Sequence, residues 1–166
     1  MADVAEKTER KIVVAVDEGD ESLNALTWCL KNVVSACPNY KDTLVLLFAK
    51  PPRIVYTALD GTDDDAGYLF SSDIIATMEK YSSDVAEAVI EKAKRACENV
   101  DIKVEVVMEK GDPRDVILEA VEKLKADLLV MGSHGYGLIK RTFLGSVSNH
   151  CAQNAKCPVL IVKNLK

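Results

Sequence analysis

The segment VMGSHGYGLIKRTFLGSVSN, residues 130–149, combines residue types that could bind an anion. Two cations, Lys140 and Arg141, and the hydroxyl groups of Ser146 and Ser148 lie within it. Glycine lets backbone N–H groups approach a ligand without an intervening Cβ atom and permits positive φ. The segment is therefore either a flexible loop or a phosphate-binding site. Its glycines are Gly132, Gly135, Gly137 and Gly145.

The position of this segment favours the phosphate site. It follows an apolar run and leads into a predicted helix over residues 146–154. A helix N-terminus presents unpaired N–H groups and a partial positive charge, and ligands of open α/β sheets bind beyond the carboxyl ends of strands. The usual motifs do not match, because Gly145 occupies the place of the Walker lysine and the first strand is followed by DEGDES with a single glycine.

Five short apolar runs predict the strands that must position this segment. Most of them are nearly continuous in Val, Ile and Leu, which is typical of parallel strands buried on both faces. The third alternates apolar and charged residues, so we expect it near a sheet edge. The five runs are residues 11–17, 43–49, 102–108, 127–132 and 158–163.

Helical patterns separate these runs. GDPRDVILEAVEKL, residues 111–124, contains a complete helix start, with Asp112 as the N-cap and Pro113 in the first turn. Ile74, Met78 and Tyr81 begin an apolar stripe at helical spacing. Strands that alternate with helices predict right-handed βαβ units. The expected fold is a single α/β domain with a doubly wound, Rossmann-like five-stranded parallel sheet and helices on both faces.

Composition excludes several classes of protein. The chain has 166 residues and a net charge of −5, so a broad nucleic-acid surface is not expected. No run approaches the roughly 18 apolar residues of a membrane span, and the N-terminus lacks the apolar region of a signal peptide. The five cysteines are interpreted as reduced thiols. We therefore predict a cytoplasmic protein, with a flexible tail over residues 1–10, a domain over residues 11–166 and a long loop at about 50–71.

The two histidines do not predict catalysis or metal binding. His134 has no carboxylate at local spacing to orient it, so a solvent-facing loop residue is expected. His150 and Cys151 form at most half of a metal site, because no other ligands lie nearby in the sequence. No metal site and no catalytic residue are predicted.

Gly132, Gly135, Gly145 and Ser146 have the spacing of the nucleotide-binding signature of the universal stress protein family. The chain resembles this family over its whole length. The resemblance rests on KIVVAVDEGDES, LVLLFA, GDPRDVILEAV, ADLLVMGSHG, FLGSVSN and CPVLIVK, in that order. It implies the strand order 3-2-1-4-5 and ATP or AMP bound where strands 1 and 4 end, with Mg²⁺ possible beside ATP.

The resemblance also implies a role for each matching residue. Asp17 should accept hydrogen bonds from the ribose hydroxyls. Ala15 and Val16 should line the adenine pocket, with the backbone of Ala49 meeting the base. Met131 and Gly132 should pack near the ribose and first phosphate. The residues expected to hold the phosphates are Gly135, Gly145, Ser146, Val147 and Ser148.

Three kinds of function remain open at this point. The one favoured is a regulatory or sensor module that binds an adenine nucleotide in the stress response. The alternatives are a slow ATPase and a chaperone-like or partner-binding protein whose nucleotide site is secondary. The family resemblance suggests a homodimer formed through the final strand, residues 158–163, which would cover an apolar sheet edge.

Overall fold

The computed structural model describes residues 8–51, 72–134 and 144–164. Its five strands are all parallel and follow the order β3-β2-β1-β4-β5, as expected. Most of the predicted tail, nearly all of the long loop and Gly135 lie outside the described residues. The strands are β1 Glu9–Ala15, β2 Lys41–Lys50, β3 Lys103–Lys110, β4 Leu128–Gly132 and β5 Val159–Val162.

Helices cover both faces of the sheet, which confirms the doubly wound architecture. Leu26 of the first helix and Ile90 of the second pack in one core. Ile117 of the third helix and Cys151 of the fourth pack in the other. The helices are α1 Asp20–Cys29, which continues into a π-helical turn over Leu30–Val34, α2 Ser72–Cys97, α3 Pro113–Leu124 and α4 Ser146–Asn154.

Three of the nearly continuous apolar runs are the buried central strands, whereas the fourth, β5, lies at an edge of the sheet. Val13 of β1, Val45 of β2 and Leu129 of β4 are completely inaccessible to solvent. The alternating third run forms an edge strand, as predicted, and Met108 near its end is exposed. Because a parallel sheet needs apolar side chains on both faces, a run of Val, Ile and Leu indicates a strand covered on both faces, but it does not separate a central strand from the edge strand β5.

Within the described part of the chain, only the C-terminal half of α2 is buried against the core. Its C-terminal half buries Ala86 and Ile90, whereas Ile74, Met78 and Tyr81 are 42%, 45% and 71% exposed. A helix of 26 residues is about 39 Å long, longer than the strands on which it packs. The helical spacing of the stripe was predicted correctly, but spacing alone does not show where the sheet ends.

The start of α3 has the predicted capping. The Asp112 carboxylate accepts a hydrogen bond from the backbone N–H of Arg114 at 2.9 Å, and Pro113 is the first helical residue. Gly111 has φ +148°, which other residues rarely adopt. Together these features turn the chain from β3 onto the face of the sheet.

None of the described helices is both long and apolar enough to cross a membrane. All five cysteines are free thiols.

Candidate functional site

A cavity of about 270 Å³ opens at the carboxyl edge of the sheet, beside the ends of the adjacent strands β1 and β4. Strand order reverses here. From β1 the chain continues to β2 and β3 on one side of the sheet, and then crosses to β4 and β5 on the other side of β1. Open α/β sheets bind ligands at such a switch point. The lining residues are Ala15, Val16, Asp17, Ser22, Leu47, Ala49, Pro113, Ile117, Met131, Gly132, His134 and Val147.

Seven of the eleven residues expected at the site line this one cavity. They come from four separate parts of the chain: β1 with the turn after it, β2, β4 and α4. Their shared feature is a place at or just beyond the carboxyl end of a strand, or in the first turn of a helix. The seven are Ala15, Val16, Asp17, Ala49, Met131, Gly132 and Val147.

Asp17 lies in a hydrogen-bonded turn between β1 and α1. Its carboxylate accepts from the backbone N–H of Gly19 at 2.8 Å, and its own N–H donates to the hydroxyl of Ser22 at 3.0 Å. The Ser22 hydroxyl in turn lies 3.2 Å from the carbonyl oxygen of Gly19. The turn therefore holds the Asp17 carboxylate at the rim of the cavity.

The approach of a ligand to the backbone is not the whole reason for a glycine at position 132. Gly132 does line the cavity, but its φ is not positive, and a Cβ atom there would lie 3.0 Å from the backbone carbonyl carbon of Glu21. A contact this short is tighter than nearly all Cβ contacts in proteins, so a larger residue would need α1 to shift by a few tenths of an ångström. Glycine at 132 thus allows the close packing of α1 on the end of β4.

The N-terminus of α4 is attached to β4 through the carbonyl oxygen of Ser133. This oxygen accepts from the N–H of Gly145 at 2.7 Å and from the Ser148 hydroxyl at 2.6 Å. A serine hydroxyl has a single hydrogen to donate, so Ser148 in this arrangement supports the site rather than donating to a ligand. Gly145 has φ −63°, so the positive φ expected for such glycines is not found here either.

Ser146 is the first residue of α4 and its side chain is exposed. It therefore occupies the position expected of a phosphate-binding hydroxyl, at the positive end of the helix. The expected contribution of Gly135 cannot be placed, since it lies outside the described residues, as do Lys140 and Arg141.

His134 is not the solvent-facing residue that the sequence suggested. It lines the cavity, its side chain is 12% exposed, and its Nδ1 atom is 3.1 Å from the Ser133 hydroxyl and 3.7 Å from the Glu21 carboxylate. The carboxylate lies 113 residues away in the chain, so no local spacing could reveal it. Within the described ranges, no group of His, Cys, Asp and Glu side chains could hold a metal ion.

Other cavity residues were also missed as site residues. Pro113 was predicted only as part of the start of α3, and Ile117 lies one turn further along the same helix. Leu47 belongs to a predicted strand, and Ser22 lies in the first turn of α1. In the sequence, each of these residues looks like an ordinary structural residue. Its contact with the cavity depends on how the helices pack on the sheet, which local sequence patterns do not show.

The fold and the cavity define a doubly wound α/β protein with a cavity at its switch point. The family model described as "Universal stress protein family" matches residues 9–163. The chain therefore belongs to the universal stress protein family.

Individual relatives support the same assignment. The chain is 30% identical to the "Universal stress protein A-like protein" of Arabidopsis thaliana over 139 residues, which is 84% of this chain and 76% of that protein.

Two solved structures share the fold. One is a universal stress protein family protein from Arabidopsis thaliana with AMP bound, with a TM-score of 0.67, 23% identity, and coverage of 94% of this chain and 92% of that chain. The other is a universal stress protein in complex with cAMP, with a TM-score of 0.56, 28% identity, and coverage of 92% of this chain and 96% of that chain.

Proposed function

We propose that this protein is a stress-response protein that binds ATP or AMP at the β1–β4 switch point and acts as a regulatory or sensor module. The observation that carries the proposal is the cavity, which brings residues from separate elements together at the edge of the sheet where ligands of this fold class bind. Its walls divide into an apolar region and a polar rim, as a nucleotide requires.

The apolar region suits an adenine ring. Ala15, Ala49, Leu47 and Met131 provide small or apolar surfaces, and Ile117 of α3 forms the facing wall. A flat heteroaromatic base is accommodated by such a slot, while backbone groups at strand ends supply its few polar contacts. The 28% identical universal stress protein solved with cAMP supports a ligand of the adenine nucleotide class.

The polar rim suits the sugar and the phosphates. The Asp17 carboxylate is placed to accept hydrogen bonds from ribose hydroxyls. The N-terminus of α4, at Ser146 and Val147, offers backbone N–H groups and the positive end of the helix to phosphate oxygens. Mg²⁺ would accompany ATP as the ion that neutralises its phosphates.

A regulatory role fits the groups present better than rapid catalysis. Fast phosphoryl transfer requires positioned cations and an oriented nucleophile. The chain lacks a Walker lysine before Ser146, and Gly145 occupies that place. Five free thiols agree with a reducing cytoplasm as the compartment.

Isothermal titration calorimetry with AMP, cAMP, ATP and Mg-ATP tests this function. We expect saturable binding with a micromolar Kd, about −8 kcal/mol, and ATP recovered intact. A turnover near about 10 s⁻¹, the median for enzymes, would contradict the regulatory role. Flat titrations with all four ligands would contradict nucleotide binding itself.

A pair of leucine substitutions tests the position of the site. Ala49→Leu should fill the adenine region and abolish binding, because Ala49 lies on the cavity wall. Ala152→Leu adds the same side chain on the exposed face of α4 and should leave binding unchanged. Equal affinities in the two variants would place the ligand elsewhere.

We also propose that β5 forms a homodimer. It is an edge strand, and the hydrogen bond from Leu129 N–H to the carbonyl oxygen of Pro158 directs alternate backbone groups of β5 towards β4. The groups of Val159 and Ile161 therefore face the open edge. Their side chains pack on the core, so a lysine there would damage the fold rather than test the dimer.

A proline at position 161 tests the dimer more cleanly. Ile161→Pro removes an edge N–H group, whereas Ile161→Ala shortens the same side chain and keeps that group. Light scattering should give twice the 18.1 kDa chain mass for the wild type and Ile161→Ala, and a monomer for Ile161→Pro. A folded dimer of Ile161→Pro would contradict pairing through β5.

A further inference from the structure

The carboxylate of Glu21 connects α1 to the end of β4 beside the nucleotide cavity. Its Oε2 atom accepts from the Ser133 hydroxyl at 2.9 Å and from the backbone N–H of His134 at 2.8 Å. The side chain is 13% exposed. The backbone of Glu21 packs closely against Gly132, which positions the Cα atom from which the side chain extends. The carboxylate therefore has a defined position next to His134, which lines the cavity.

Hydrogen bonds through a single residue, Ser133, connect this carboxylate to the start of α4. Ser133 donates its hydroxyl to Glu21, and its carbonyl oxygen accepts from the N–H of Gly145, the residue before α4. The helix N-terminus is where the proposed function places the phosphates. A negative charge thus lies next to Ser133 and His134, close to the place where further negative charge would bind.

We propose that Glu21 is a specificity-determining residue that selects adenine nucleotides by phosphate charge, favouring AMP over metal-free ATP. This inference rests on the proposed nucleotide site. Repulsion by Glu21 grows with each phosphate charge, and a partly buried carboxylate is screened less than an exposed one. Mg²⁺ neutralises part of the ATP charge and so reduces the penalty.

The neighbouring acidic residues provide the control. The turn between β1 and α1 contains Asp17 and Glu18, and the first turn of α1 contains Asp20 and Glu21. Glu18 and Asp20 are exposed, so their charges are screened by solvent and salt. Glu18→Gln and Glu21→Gln change the net charge of the protein equally, but only the second changes the charge bonded to Ser133.

The test is calorimetry of wild type, Glu21→Gln and Glu18→Gln with adenosine, AMP, ATP without divalent cations, and Mg-ATP. It is run at pH 8, where the nucleotide phosphates are fully ionised. Glutamine keeps an acceptor oxygen for Ser133, so the connection survives while the charge is removed. We expect Glu21→Gln to tighten metal-free ATP about tenfold and AMP only a few-fold, from the ratio of their charges. Adenosine should be unaffected.

Each alternative outcome has a distinct signature. A merely structural role for Glu21 would change the affinity for adenosine and for the nucleotides alike, and that result would overturn the proposal. Equal ATP-to-AMP affinity ratios in Glu21→Gln and Glu18→Gln would also overturn it while leaving nucleotide binding intact. If wild type and Glu21→Gln bound none of the four ligands, both this proposal and the proposed function would fail.

Discussion

A Cβ atom at position 132 would lie 3.0 Å from the backbone carbonyl carbon of Glu21, so the end of β4 and the first turn of α1 are in direct backbone contact. This contact brings Glu21 to Ser133 and His134, beside the cavity that Gly132 and His134 line. It gives Gly132 a structural role next to the site.

Gly132→Ala should therefore destabilise the protein. The added methyl group must displace the backbone of α1, and overpacking of this kind costs about 1–3 kcal/mol. Urea unfolding followed by circular dichroism measures the loss. Gly19→Ala is the comparison, because Gly19 has φ −80° and ψ 152°, which any residue adopts, so that alanine there loses only the N-cap preference for glycine. A Gly132→Ala variant as stable as the wild type would show that α1 moves away from β4 without cost.

Ser148 and Ser146 should respond differently to alanine. Ser148→Ala removes the buried hydrogen bond to the Ser133 carbonyl oxygen, at a cost of about 1–2 kcal/mol in the free energy of unfolding. Ser146→Ala removes an exposed hydroxyl and should leave stability nearly unchanged while weakening nucleotide binding. Urea unfolding and calorimetry on both variants separate the roles. A stable Ser148→Ala variant with lost affinity would instead make Ser148 a direct phosphate ligand.

The N-cap of α3 should make stability depend on pH in the acid range. Hydrogen bonds from the Arg114 side chain, then from its backbone N–H, lower the pKa of Asp112 from 3.8 to about 2. Because the folded-state pKa is depressed, the stabilisation is fully present above pH 3.8 and is lost as the pH falls towards 2.

Unfolding of wild type and Asp112→Ala across this range measures the effect. The stability difference should be largest near neutral pH and should shrink between pH 4 and 2. Asp115→Ala, in the same helical turn but not at the N-cap, serves as the control. A difference that stayed constant down to pH 2 would mean that the ionised form of Asp112 does not stabilise the cap.

The buried thiols should resist alkylation in the native protein. Burial raises the pKa of Cys29 and of Cys151 to about 11, and neither side chain is accessible to solvent. Iodoacetamide at pH 8 should modify Cys37, which is only partly buried, well before these two. Peptide mass spectrometry before and after addition of urea measures the order. Rapid native labelling of Cys29 would reveal local opening of α1.

Local pattern was sufficient to predict much of the fold. The runs of Val, Ile and Leu identified the buried strands, because both faces of a parallel sheet need apolar side chains. Asp112 and Pro113 marked the start of α3 because capping depends on adjacent residues. Most of the site residues that the family resemblance implied, such as Asp17, Ala49 and Val147, line one cavity.

The remaining features depended on contacts between distant parts of the chain. Glu21 and His134 are 113 residues apart, so no spacing in the sequence indicates that a carboxylate faces the histidine. The sequence identified Gly132 as a residue of the family motif. Only the packing of α1 on the sheet shows that this glycine accommodates the backbone of α1. Residue types and local periodicity determine which elements form. The tertiary structure alone determines which side chains those elements bring together, because hydrogen bonds and close packing act over a few ångströms whatever the separation along the chain.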